Sequence, residues 1–365
     1  MMTILNENVV FGVGKRFNLW QMIPEEWRDS VVVLVSERMA GSGELDKFIP
    51  LDKVQLITVV SSEPSIAMVE GVRNKIGDKK VSALIAIGGG SVIDCGKLCA
   101  ISLEEYNRSH TIEEFFDGKF KLEPRKNIFF VAMPTTAGTG AEVTDNSVII
   151  NEKNGIKKSI RDTSMIANLA LVDPELTYNC SQIIVSASGL DSLTQAIECA
   201  ISKKTTVFTR KLASEALLII LDNLENAYNG DLEAKNKMAY ATLQGGIAFR
   251  SGGLGAVHGL SHPIGSLFHI AHGKACGILL EHILRINIEA VDCLAKELKF
   301  SNGNELIAKI VSLRNKLGIG DNFKEYNITP NDFAFIAKNC RSGSMSCNPV
   351  EMSDEDIFSL LERIC

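Results

Sequence analysis

The sequence predicts an α/β domain built on a parallel sheet over residues 1–178, followed by an all-helical domain over residues 179–365. Three observations predict it. Short β-branched runs alternate with helical periodicity in the first half, and these runs are continuously apolar, as in strands covered on both faces. From about Ser181 the apolar period becomes helical and strand-like runs stop. A chain of 365 residues also suits two cores better than one. Its 45% apolar and 22% charged residues are a globular composition, which excludes a disordered or fibrous protein. With 38 basic against 44 acidic side chains the net charge is −6, which argues against a nucleic-acid binder.

The elements follow in order. Ser30–Val35 and Val54–Val60 are the first two predicted strands. Pro64–Ile76 reads as a helix, with Ile66, Val69 and Val72 at helical spacing. Val81–Ile87 is a third strand, running into Gly88-Gly89-Gly90, and Ile128–Met133 is a fourth, ending at Pro134. Such βαβ units bind ligands at the carboxyl ends of their strands. After the boundary near Tyr178, Leu212–Leu224, Lys274–Ile288 and Asp354–Cys365 are amphipathic helical patterns, and a cleft is expected between the two domains. No apolar run approaches the roughly 18 residues of a membrane span. The amino terminus, MMTILNENVVFGVGK, lacks the pattern of a signal peptide, so a cytoplasmic location is expected. Nine cysteines with no C-x-x-C pair then read as reduced and mostly structural, with Cys95 and Cys99 as buried thiols on a helix.

Two loops carry the binding signals of the first half. Gly88-Gly89-Gly90-Ser91-Val92-Ile93-Asp94 links a strand to a helix. Its glycines let a pyrophosphate approach the backbone, and the helix start offers unpaired N–H groups. Ser91 is the expected N-cap, with Asp94 at capping-box spacing. The alternative is a tight turn with no ligand. Pro134–Thr144 also follows a strand and offers Thr135, Thr136, Thr139 and Thr144, whose hydroxyls either meet a ligand or bond locally. Glu37 follows the first predicted strand, where a carboxylate accepts from a ribose diol. Ser36 and Arg38 beside it suit a 2′-phosphate instead, so the choice leans to NAD over NADP without excluding either.

The chain has six histidines, and four fall in residues 258–272: His258, His262, His269 and His272. His258 and His262 share a helical face. Pro263 is expected to end that helix, so that His272 opens the next one. Imidazoles from adjoining helices then converge on a metal. Asp191 and Gln195, four apart, are the candidates for further ligands, with helix capping as the competing role for Asp191. Two histidines and a carboxylate leave open positions, as a catalytic metal site requires.

Taken together, these motifs resemble the iron-containing, or group III, alcohol dehydrogenases. The likeness runs from Asn8-Val9-Val10-Phe11-Gly12 through GGGSVIDCGK at 88–97, PTTAGTGAEVT at 134–144 and VDPEL at 172–176. It continues in SGLDSLTQAIE at 188–198, HGLSHPIG at 258–265, HGKACGILL at 272–280 and NPVEMSDEDI at 348–357. It implies a dehydroquinate synthase-like architecture: a dinucleotide-binding domain, then a helical domain with a divalent metal, Fe(II) typically and Zn(II) in relatives. Asp191, His258 and His272 match its ligand positions, and His262 matches a histidine given a proton-relay part. Gly89, Gly90, Ser91, Asp94 and the four threonines match cofactor positions, and Lys157 or Lys158 takes the place of a cofactor-contacting lysine.

Two departures stand out. Gln195 occupies the place of a further histidine ligand, and Ser62-Glu63-Pro64-Ser65 replaces a Pro-Asn-Pro-Thr pattern, so that Glu63 is expected to face away from the phosphates. The resemblance implies an NAD(P)-linked alcohol dehydrogenase or aldehyde reductase acting on a small molecule, and a homodimer. A metal-independent maleylacetate-reductase-like enzyme, a dehydroquinate-synthase-like lyase and a metal-free binding protein are the alternatives.

Overall fold

The computed structural model describes residues 6–59 and 63–365. Val60, the expected end of the second strand, and Ser62 lie outside them. The chain divides into two compact units, one ending at Asn179 and one beginning at Cys180.

The first unit runs β1 (Asn8–Phe11), α1 (Leu19–Met22), β2 (Val31–Ser36), α2 (Glu37–Ala40), β3 (Val54–Val59), α3 (Ile66–Ile76), β4 (Ala83–Gly88) and α4 (Gly90–Ser102). It continues with α5 (Ile112–Asp117), β5 (Phe129–Pro134), β6 (Asn146–Asn151), β7 (Ile156–Arg161) and β8 (Leu169–Val172). Six strands form one sheet in the order β1-β8-β5-β4-β2-β3, paired in parallel throughout. Alternate residues explain why the central strands are apolar without a break. Val32, Leu34, Leu84, Ala86, Phe130 and Ala132 face one core. Val31, Val33, Ala83, Ile85, Phe129 and Val131 face the other.

The expected third strand is shifted, beginning at Ala83 and including Gly88. Four strands were not read from the sequence. β1 and β8 have four residues each, and β6 and β7 form an antiparallel hairpin whose exposed residues, Lys158, Ser159 and Arg161 of β7, are polar. Glu37 therefore follows the second strand rather than the first. Asp173, in the VDPEL motif, is structural. Fully buried, it accepts hydrogen bonds from the backbone N–H of Gly14 and Arg16 and from the Arg16 guanidinium at 2.9 Å.

The second unit is all helical: α6 (Gln182–Ile201), α7 (Val207–Tyr228), α8 (Leu232–Gly252), α9 (Ala256–Phe268), α10 (His272–Ile286), α11 (Ile288–Glu297), α12 (Gly303–Lys316), α13 (Pro330–Asn339) and α14 (Asp354–Ile364). α6 packs against α7, α8 and α10, and every residue from Gly189 to Ile201 is buried. A helix buried on all sides has no solvated face, so its polar side chains need partners inside the fold. The expected break at Pro263 does not occur. Pro263 lies inside α9, which continues to Phe268. A proline inside a helix costs about 3 kcal/mol through the lost hydrogen bond and the clash of its ring with the preceding turn. Burial of Val257, Leu260 and Ile264 on either side returns roughly 1.5–3 kcal/mol each, so packing prevails. Among the described residues no helix is long and apolar enough to cross a membrane.

Candidate functional site

Glu37, the glycine turn and the threonine loop follow the carboxyl ends of three neighbouring strands, β2, β4 and β5, whereas Lys157 lies on β7 of the separate hairpin. Gly88 of β4 pairs with Pro134 of β5, so the two loops start side by side. They touch further on. A Cβ added at Gly90 would stand 2.6 Å from Thr139 Cγ2, and one at Gly89 would stand 3.5 Å from Thr136 Oγ1. Only glycine fits at position 90 with that contact in place.

The helix start differs from the expectation. Gly89, not Ser91, is the N-cap of α4, and no side chain caps it. Ser91 lies within the first turn, and Asp94 turns away to accept a hydrogen bond from the Val148 N–H at 3.1 Å. No side chain of its own therefore meets the first-turn N–H groups of α4, the arrangement that suits an anion.

Beneath the turn lies a buried charged group. Lys97 Nζ donates to Thr144 Oγ1 at 2.8 Å and to the Asn146 carbonyl at 2.7 Å, with Asp94 Oδ1 at 3.5 Å. Burial lowers the Lys97 pKa against the pull of Asp94, and burial raises that of Asp94 against Lys97. Burial also pushes Glu142 up to about 7. Thr144 is thus bonded within the protein, and Thr139 Oγ1 accepts from the Ala141 N–H at 3.3 Å.

Glu37 is exposed at the end of β2. Its neighbour Ser36 caps α2, accepting from the Met39 N–H, and Arg38 donates to the Asn179 carbonyl at 2.6 Å. The two lysines also part company. Lys157 reaches Glu63 at 2.5 Å and its charge is felt at Asp94, whereas Lys158 donates to the Phe116 carbonyl. Glu63 is thereby neutralised by Lys157.

In the second unit, Asp191 and Glu198 sit seven residues apart on the buried face of α6, and His258 of α9 lies between them. His258 Nε2 is 3.2 Å from Asp191 Oδ1, and His258 Nδ1 is 2.6 Å from Glu198 Oε2. Burial disfavours the imidazolium, but the charges of Glu198 and Asp191 outweigh it and push the His258 pKa up to about 9. His272, the first residue of α10, points Nε2 at the same Asp191 oxygen at 3.6 Å, while its Nδ1 lies 3.4 Å from Ser261 Oγ. Cys276, one turn along α10, joins them. One donor atom from each of Asp191, His258, His272 and Cys276 falls within 4.8 Å of the others.

The set fits a divalent cation. It offers a carboxylate oxygen and two imidazole nitrogens on one point, and each ring is held from behind through its other nitrogen, as metal-bound histidines are. Gln195 is buried one turn beyond Asp191. The His262 ring centroid is 5.4 Å from that of His272. His269 is exposed, in a left-handed conformation at the end of α9. Glu198, Ser261 and Cys276 were missed from the sequence. The signal was spacing: Glu198 shares a face with Asp191, and Cys276 shares one with His272.

Comparison with known proteins agrees with both halves. Residues 6–174 match the family described as iron-containing alcohol dehydrogenase, and residues 185–365 match the carboxyl-terminal part of the Fe-containing alcohol dehydrogenase family. An NADPH-dependent butanol dehydrogenase of Clostridium saccharobutylicum is 32% identical over 344 residues, 90% of this chain and 87% of that one. Aldehyde-alcohol dehydrogenase 2 of Entamoeba histolytica is 34% identical over 280 residues, 71% of this chain but only 31% of that longer protein. The crystal structure of sulfoacetaldehyde reductase from Bifidobacterium kashiwanohense with NAD+ superposes with a TM-score of 0.92 at 27% identity, covering 100% of this chain and 98% of that one. The chain belongs to the iron-containing alcohol dehydrogenase family and is a metal- and NAD(P)-dependent alcohol dehydrogenase or aldehyde reductase.

Proposed function

We propose that the chain reduces small aldehydes to alcohols, and runs the reverse oxidation, with a divalent cation held by Asp191, His258 and His272. NAD is the preferred dinucleotide in this reading. What supports it is that Ser36 and Arg38, the groups suited to a 2′-phosphate, are bonded to the protein's own backbone, while the Glu37 carboxylate is exposed at the strand end. The diphosphate would lie on the uncapped first turn of α4 at Gly89, Gly90 and Ser91, with Thr135 and Thr136 beside it and Lys157 as the nearby cation. Asp94 and Thr144 serve the turn from beneath by holding Lys97. Gln195 is left out of the core ligand set.

When bound, the metal supplies Lewis acidity toward an alcohol or carbonyl oxygen, and the nicotinamide gives or takes the hydride. The protein's part is to hold and to orient. Glu198 and Ser261 fix the ring orientation of His258 and His272, so that both Nε2 atoms face Asp191. His262, one turn from His258 and only partly buried, passes the alcohol proton to solvent. A cytoplasmic homodimer belongs to the same reading.

The observation that carries the proposal is the convergence of the three donors from three helices. His272→Ala tests it. Metal content and aldehyde-dependent NADH oxidation should fall together, with dinucleotide binding retained. Full turnover without metal would refute the proposal.

A further inference from the structure

We propose that Cys276 is a fourth donor to the cation held by Asp191, His258 and His272, and that its sulfur biases this site toward zinc over iron(II). The inference rests on the metal reading above.

Geometry supports it first. Cys276 is buried on α10, four residues after His272 and on the same helical face. Its Sγ is 3.7 Å from His272 Nε2. Zinc bonds of about 2.3 Å to sulfur and 2.0–2.1 Å to nitrogen, set at a tetrahedral angle, separate those two atoms by about 3.5 Å. The His258–Asp191 and His272–Asp191 pairs, at 3.2 and 3.6 Å, are close to that spacing too, and all four donors lie within 4.8 Å of one another.

Charge supports it next. Among the atoms that would bond the cation, only Asp191 and a Cys276 thiolate carry negative charge, and a buried divalent cation favours such donors. The Glu198 carboxylate stands one step back, between His258 Nδ1 at 2.6 Å and the Val257 N–H at 2.7 Å near the amino end of α9, so it orients the ring without bonding the ion. The neutral amide of Gln195 offers no such compensation. Metal binding would displace the thiol proton to solvent, leaving sulfur as a thiolate. A soft sulfur beside two imidazoles suits zinc better than iron(II). Zinc also expands to five donors, so a fourth protein atom does not close the site.

Cobalt(II) reads the ligand directly. The metal-free full-length chain, loaded with one equivalent of cobalt(II), should show visible ligand-field bands together with a near-ultraviolet thiolate-to-cobalt charge-transfer band. Cys276→Ser should keep the first and lose the second. Its preference for zinc over iron(II) should fall about tenfold or more, since even an outer partner of a ligand is worth about 10–100-fold. Visible bands without charge transfer in the unaltered chain would overturn the inference and leave the Asp191–His258–His272 site standing. No cobalt uptake at all would overturn both.

Discussion

His258 is held at both ring nitrogens by carboxylates that α6 carries seven residues apart, in a stretch of that helix with no solvated face. Glu198 does two jobs there. Its Oε2 meets His258 Nδ1, and its Oε1 accepts the Val257 N–H, so one side chain orients the His258 ring and caps α9. Gly255, the N-cap of α9, offers no side-chain cap of its own, and a Cβ there would stand 2.7 Å from Glu198 Oε1. Asn348 completes the anchor, accepting from the Ala256 N–H. Glu198→Gln keeps the shape of the side chain but loses its charge. Metal affinity, measured by competition with a chelator, should fall about 10–100-fold with the secondary structure intact. Unchanged affinity would mean that Glu198 only caps the helix.

The approach of one helix to another decides where His272 lies. A Cβ at Gly273 would stand 1.9 Å from the Ala187 carbonyl, so the start of α10 rests on the backbone of α6 one turn before Asp191. Gly273→Ala should push α10 away, draw His272 off Asp191 and weaken metal binding, while the circular dichroism spectrum stays helical. Retained metal affinity in a folded variant would show that the contact does not set the site. Sequence periodicity could not supply this approach, because it arises between helices. The central strands were legible because burial on both faces leaves continuous apolar runs, as in β2 and β4. β1 and β8 were too short to register, and the β6–β7 hairpin presents polar residues outward. Three metal donors were legible as spaced histidines and an aspartate, although Asp191 lies in the middle of α6 and not at the helix start expected for it, because the helix already begins at Gln182 behind the Ser181 cap. Cys276 was passed over, because its four-residue spacing from His272 does not single it out among nine cysteines until the fold sets its sulfur beside that ring.

At the scale of the whole molecule, the dinucleotide signals all fall before Asn179 and the metal donors all fall after Cys180. Both halves match the same family. The hydride chemistry proposed for the chain would stand on a single ion between α6, α9 and α10. Crystals of the chain loaded with zinc or iron(II), measured at the absorption edge of the metal, would locate that ion. One anomalous peak within bonding distance of Asp191 Oδ1, His258 Nε2 and His272 Nε2 is the expected result. A peak elsewhere, or none from protein that still reduces aldehydes, would contradict the account.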